Sequence, residues 1–190
     1  MILGLIGKNA SGKGEVANYL KKKGFIYFSL SDELREEATK KSLSHERETL
    51  ISLGNILRKQ NGPQYLAEKI SNKIKNNLKN GNGKNFVVDS IRSPFEAKEF
   101  MKNKDFLLIG IDAPIELRFE RLKNRNRIGD AKTLEEFKKQ EEMENTKNPV
   151  SQQLDATFSL AGKRINNNGS LGELHEKIDE LLEELNKIKV

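Results

Sequence analysis

Seven residues near the start of the chain combine types and spacing that suit phosphate chemistry. Gly7-Lys8-Asn9-Ala10-Ser11-Gly12-Lys13 carries two glycines separated by four residues, with a lysine directly after the second. Glycines let consecutive backbone N–H groups turn inward around an anion. A helix starting at the second glycine adds its positive end, and Lys13 adds a mobile full charge. Such a loop holds a chain of phosphates when a strand precedes it and a helix follows. Gly14 and Glu15 come next, so the Ser or Thr hydroxyl that commonly contacts Mg²⁺ after this lysine is missing. The metal is then left mainly to the phosphates and to water, which suits its reluctance to shed its hydration shell. The plainer reading, a strand-to-helix turn that binds nothing, is weakened by the elements on either side.

Further charged groups recur at the ends of apolar runs. Asp32 and Arg35 follow one, Asp89 and Arg92 follow another, and Arg118, Arg121, Arg125 and Arg127 form a cluster. The first three of that cluster share a helix face by spacing. Taken alone, the cluster reads as a solvated basic helix. Beside an anion-binding loop it reads as a set of cations around a transferring phosphoryl group, whose spread negative charge enzymes stabilise by positioning and by nearby cations. An arginine-bearing lid that shuts out water is one way to supply them.

These residues need a frame. Residues 1–6 read as a buried strand, with Val16, Ala17 and Leu20 on one face of the helix that follows. Gly24 stops that helix, and Phe25-Ile26-Tyr27-Phe28 is a second strand. Ser31 or Asp32 is expected to cap a helix running to about Lys41, and Ser44 to cap the next, with Leu50, Leu53 and Leu57 inward. Gly62-Pro63 opens a further helix with Leu66, Ile70, Ile74 and Leu78 four apart. Phe86-Val87-Val88-Asp89 is a strand ending in a carboxylate, and Pro94 starts a short helix. Residues 106–112 form a continuous apolar strand of the kind covered on both faces. Pro114 opens a helix to Asn124, a polar helix is expected from Thr133 to about Asn145, Arg164-Ile165-Asn166 is a last strand, and an amphipathic helix ends the chain. The alternation predicts an α/β fold: a three-layer α/β/α sandwich around a parallel sheet of about five strands, with ligands at the carboxyl ends of the strands.

The bulk numbers agree. At 190 residues the chain is read as one domain, 1–190, long enough to bury a sizeable core. A net charge of +6 suits phosphorylated ligands. With no cysteine, disulfides, thiol nucleophiles and Cys-ligated zinc are excluded. His45 and His175 sit in charged stretches and read as solvated. Mean hydropathy is −0.70, and neither a membrane span nor a signal peptide is visible. A cytoplasmic protein, monomer or homodimer, is the expectation.

At these residues the chain resembles the nucleoside monophosphate kinases. The segment from Gly7 to Gly14 looks like the adenylate-kinase form of the loop, which also has Gly after the Lys; the family's following Thr is Glu15 here. Ser29-Leu30-Ser31-Asp32-Glu33-Leu34-Arg35 is similar to a segment whose Arg binds the acceptor's phosphate. Asp89-Ser90-Ile91-Arg92 is similar to D-G-x-x-R, with Ser90 in place of Gly. Arg121-Leu122-Lys123-Asn124-Arg125 is similar to the start of the lid, and Asn166 falls where an adenine-contacting loop follows the last strand. Gly-Lys-Gly-Glu and Arg-Phe-Glu-Arg-Leu also resemble a small archaeal group of kinase-like ATPases. Dephospho-CoA kinase is a near relative, but it carries a D-x-D segment after the second strand where this chain has Ser29-Leu30-Ser31-Asp32.

The resemblance implies ATP and Mg²⁺ as cofactors and a small phosphorylated acceptor, foremost a (deoxy)nucleoside monophosphate. ATP falls to Gly7, Lys8, Asn9, Ala10, Ser11, Gly12, Lys13, Gly14, Glu15, Arg121, Arg125 and Asn166. Asp32, Arg35 and Arg92 take the acceptor, Lys13, Arg92, Arg121 and Arg127 assist transfer, and Asp89 holds the metal through water. Residues 32–80 become the acceptor-binding region and 121–147 the lid. Dephospho-CoA is the alternative acceptor. A non-catalytic ATP-binding switch or nucleic-acid-associated ATPase is the alternative of another class, with nucleic acid the lesser prospect because no strand face interleaves aromatic and basic residues.

Overall fold

A computed structural model describes residues 1–125, 130–146, 148 and 151–188. Five strands, β1 (Ile2–Ile6), β2 (Ile26–Ser29), β3 (Phe86–Asp89), β4 (Phe106–Asp112) and β5 (Lys163–Asn166), form one sheet in the order β2-β3-β1-β4-β5. Every pairing is parallel, with Leu3 opposite Val87 on one side and Leu107 on the other.

The two-residue period of a strand sorts the central side chains between two helical layers. Leu3, Leu5, Val87, Ile109 and Ile111 face α1 (Lys13–Lys22) and α9 (Leu171–Ile188). Ile2, Ile6, Phe86, Val88 and Leu108 face the opposite layer, built from α2 (Leu30–Lys40), α4 (Tyr65–Lys79), α5 (Pro94–Met101) and the short α8 (Leu154–Phe158). Position 4 shares this second face with Ile2 and Ile6, and it is glycine because an added Cβ would come 2.5 Å from the Phe106 ring. Leu66, Ile70 and Ile74 of α4 are fully or almost fully buried, each worth about 1.5–3 kcal/mol; Leu78, the fourth of that row, is exposed. A smaller core joins α2 to α3 (Arg47–Asn61) through Ala38, Leu53 and Leu57, and another joins α6 (Ile115–Arg125) to α7 (Leu134–Met143) through Leu122 and Phe137. Among the described residues no helix is long and apolar enough to cross a membrane.

Some local expectations shift. Helix α2 begins directly after β2, with Ser29 at its N-cap, so Ser31 and Asp32 lie inside the first turn. Helix α3 is preceded by Glu46, and the Ser44 hydroxyl bonds Thr49 instead of a backbone N–H. Thr133 does cap α7, its hydroxyl accepting from Glu136 N–H. Helix α8 has only five residues and no side-chain cap, so it carries little sequence signal.

Candidate active site

Parallel pairing brings the carboxyl ends of β1, β2, β3, β4 and β5 to one edge, and the turn after β1 lies near its centre. Ala10 and Gly12 take left-handed backbone there, φ 59° and 106°, and Ser11 N–H donates to Lys8 O at 3.2 Å. Close approach dictates both glycines of the motif. A Cβ at Gly7 would lie 2.2 Å from the Ile111 carbonyl oxygen, and one at Gly12 would lie 2.1 Å from Asn167 Nδ2.

Two side chains brace the loop. Asn167, 6% exposed, donates from Nδ2 to Ser11 O at 2.9 Å, while its backbone N–H donates to Asp112 O at 2.7 Å. Arg118, 4% exposed, donates from Nε to Ala113 O at 2.8 Å and from Nη1 to Asn9 O at 3.2 Å, and its guanidinium pairs with Glu141 of α7. The helix-face cluster is thus not solvated at its first arginine. Lys8 reaches Asp155 at 3.4 Å.

Lys13 Nζ donates to the loop's own carbonyls, Gly7 O at 2.6 Å and Lys8 O at 2.9 Å. Burial pushes this ammonium down to about 8, partly countered by Asp89 and Glu144 and reinforced by Arg92 and Arg118. Ser11 Oγ and Arg121 Nη1 are buried without a hydrogen-bond partner among the described residues. Unsatisfied donors and an ammonium resting on carbonyls that an anion would relieve fit a phosphate chain. At Gly14 an added Cβ meets nothing within 4 Å, so no group fills the place of the missing hydroxyl.

Beside the loop opens a cavity of about 640 Å³ whose lining includes Lys13, Arg35, Arg92, Arg125 and Glu144. It lies between the loop, α2, α3 and the turn after β3. Arg35 is paired with Asp32 at 2.7 Å, both half exposed. Arg92 donates to Gln152 Oε1 at 3.0 Å and stands 3.7 Å from Glu144 Oε1. Arg125 holds Asp130 through two bonds, 2.8 and 2.6 Å. Asp89 accepts from Ser90 N–H at 2.6 Å and lies 3.5 Å from the Tyr27 hydroxyl. Burial, with Asp89 adding to it, pushes that phenol up to about 12, so it stays a donor. Ser90 sits at φ 65°, left-handed backbone where glycine is at ease.

A buried strut supports this rim. Glu96 accepts from Arg58 Nε and Nη2 at 3.1 and 2.8 Å, and its second oxygen accepts from the backbone N–H groups of Arg92 and Ser93 at 2.8 and 3.2 Å. Ser93 and Glu96 form the capping box of α5. Sequence reasoning missed the strut, although Ser93-Pro94-Phe95-Glu96 has the Ser-x-x-Glu spacing that signals the box.

The remaining candidates divide. Glu15 is exposed. Arg121 Nη2 reaches Asn167 Oδ1 at 3.4 Å. Asn166 is exposed, with its carbonyl accepting from Lys177 at 2.8 Å, and Asn167 rather than Asn166 meets the loop. The run Asn166-Asn167-Asn168 was visible, but not which of the three turns inward. Arg127 lies outside the described residues.

Comparison with known proteins agrees with this architecture. The family described as AAA domain matches residues 3–147. A UPF0200 protein of Pyrococcus abyssi is 34% identical over 188 residues, covering 97% of each chain. Among solved structures, shikimate kinase from Aquifex aeolicus matches with a TM-score of 0.51 at 21% identity, covering 96% of each chain. Shikimate kinase from Bacteroides thetaiotaomicron matches with 0.57 at 14% identity, covering 96% of this chain and 98% of the other. The chain has the P-loop kinase fold.

Proposed function

The chain belongs to the UPF0200 family, and we propose that it works as an ATP-dependent phosphotransferase moving the γ-phosphoryl of ATP to a small phosphorylated acceptor, foremost a (deoxy)nucleoside monophosphate. One observation carries this reading: a single cavity of about 640 Å³ is lined by Lys13 of the loop and by Arg35, Arg92 and Arg125 from three other segments. That volume is in the range of small-molecule sites, about 300–1,000 Å³. A phosphate acceptor is already ionised and needs cations to bring it against a second anion, whereas a hydroxyl acceptor gains from a general base.

In this reading the loop from Gly7 to Gly14 holds the triphosphate and Arg121 lies on the base side, with Arg35 and Arg92 taking the acceptor's phosphate. Arg125 neutralises charge during transfer, as an acceptor oxygen bonds to the γ-phosphorus and the bond to the ADP oxygen breaks. Residues 32–80 serve the acceptor and 121–147 cover the reaction. Asp89 would hold Mg²⁺ through water, and the ion when bound neutralises charge on the phosphates. A hydroxyl acceptor, as the name shikimate kinase carries for the neighbours, is the second reading. Against it, Asp32, which follows β2 where a base would be useful, is tied to Arg35 at 2.7 Å.

The test is ADP release from ATP–Mg²⁺ with a panel of nucleoside and deoxynucleoside monophosphates, dephospho-CoA and shikimate. One monophosphate class is expected to stimulate turnover, and Lys13→Ala to cut it by about 10²–10³-fold. Stimulation by a hydroxyl acceptor alone would replace the acceptor class. ATP turnover indifferent to every acceptor would favour the ATP-binding switch.

A further inference from the structure

The cations lining the cavity are all engaged by groups of the chain itself. Lys13 rests on loop carbonyls, Arg35 on Asp32, Arg92 on Gln152 and Glu144, and Arg125 on Asp130. Two of the carboxylates, Asp130 and Glu144, bracket α7, and both line the cavity. Their side chains are only 13% and 9% exposed, against 29% and 35% for the arginines they face. Glu141 lies one turn before Glu144 and is fastened to the buried Arg118. The two therefore share a face of α7, and the Arg118 pair holds Glu144 at the cavity.

We propose that Asp130 and Glu144 are resident counter-ions that stand in the anion positions opposite Arg125 and Arg92 and set an affinity threshold, so that a ligand binds tightly only when its phosphoryl charge repays the displacement of both. The inference rests on the phosphate-binding reading of the loop and adds a threshold to it. Carboxylate and phosphoryl oxygens compete for the same guanidinium edge. A carboxylate attached to the chain is present at high effective concentration, so a small anion making one contact loses to it. A polyphosphate contacts the loop, Arg125 and Arg92 together and wins. Gln152 keeps its bond to Arg92, at 3.0 Å, when Glu144 lets go, so the arginine stays aimed at the ligand. When the product leaves, the carboxylates return.

The experiment measures binding of orthophosphate, pyrophosphate and tripolyphosphate to the full chain by titration calorimetry. Wild type is compared with Asp130→Asn, Glu144→Gln, the double variant and Lys13→Ala. The double variant is expected to tighten the anions unequally, tripolyphosphate about tenfold more than orthophosphate, because tripolyphosphate is relieved of displacing both carboxylates and orthophosphate of at most one. A preference that stays the same, whether all three anions tighten equally or none does, overturns the proposal. Lys13→Ala separates the two levels. If it abolishes tripolyphosphate binding while the preference is untouched by the double variant, only this inference fails. If it leaves tripolyphosphate binding intact, the phosphate-site reading fails with it. Thermal melts establish that each variant folds. Should Glu144→Gln not fold, Glu144→Asp keeps the charge but withdraws it by one methylene, and is expected to raise the preference part of the way.

Discussion

The two sides of the cavity are built differently. On the loop side, the backbone is held by short bonds from buried groups: Asn167 on Ser11 O, Arg118 on Asn9 O, and Gly7 and Gly12 pressed where no Cβ fits. On the side proposed for the acceptor, the arginines are partly exposed and paired with side chains of the chain itself, above a buried strut, Arg58–Glu96. The loop backbone is preorganised, so only the Lys13 side chain has to leave its carbonyls to bind a constant group. In the proposed exchange of anions, the other side's choice of ligand depends on which charges are displaced. Sequence change on the first side should therefore act on stability and on nucleotide, and on the second mainly on selectivity.

The strut gives the sharpest test of that contrast. Glu96→Ala strands a buried guanidinium and two N–H groups and is expected to destabilise the fold by about 3–5 kcal/mol, read by urea unfolding. A cost under about 1 kcal/mol would mean the acceptor side has no rigid support at all. Gly12→Ala comes next. It forces a Cβ against Asn167 in backbone at φ 106°, and a loss of about 1–3 kcal/mol with weakened ATP binding is expected. Equal ATP affinity in this variant would break the claim that the loop side is preorganised.

The third test uses pH. With Lys13 lowered to about 8 by burial, ATP affinity is expected to fall as pH rises through about 8, up to about tenfold per unit, because the phosphates favour the protonated form. Lys13→Arg should remove the slope. In the ligand-free chain the sign reverses: the unfolded lysine holds its proton to higher pH than the folded one. Stability attributable to this group therefore rises between about pH 8 and the ordinary lysine range, which melts without nucleotide would follow. The smallest effect belongs to Asp32→Asn. Its pair with Arg35 is 55% and 48% exposed, so stability should change by less than about 1 kcal/mol, while acceptor selectivity shifts.

The same contrast explains what was legible beforehand. The loop could be read because strand, turn and helix are contiguous, and the glycine spacing reports a local backbone demand. Asp89 and Arg92 could be read because an apolar strand visibly ends at them. Asn167 was missed in favour of Asn166 because its role depends on which residue of β5's exit faces a loop formed at the other end of the chain. Arg118 was grouped with a lid face because nothing local says that α6 packs its first arginine under the loop. The N-cap of α2 moved to Ser29 because the helix begins without a linker, a junction set by packing of Leu30 into the core rather than by a capping side chain. Glu144 left no signal, since a carboxylate opposite Arg92, far along the chain, makes no periodic mark.

The sheet order also bears on how the chain reaches this state. Strand β1 is central, and Ile2 pairs with Phe86 on one flank and Phe106 on the other. No strand pairing is between hairpin neighbours, and such non-local parallel contacts fold slowly because loop closure must precede any gain. The binding loop, tethered to β1 and braced by Asn167 beyond β5, can take its final shape only after β3, β4 and β5 have docked. On the proposed function, nucleotide would act as a late stabiliser, selecting chains that have completed their sheet, and ATP added during refolding should raise yield without speeding the earliest phase.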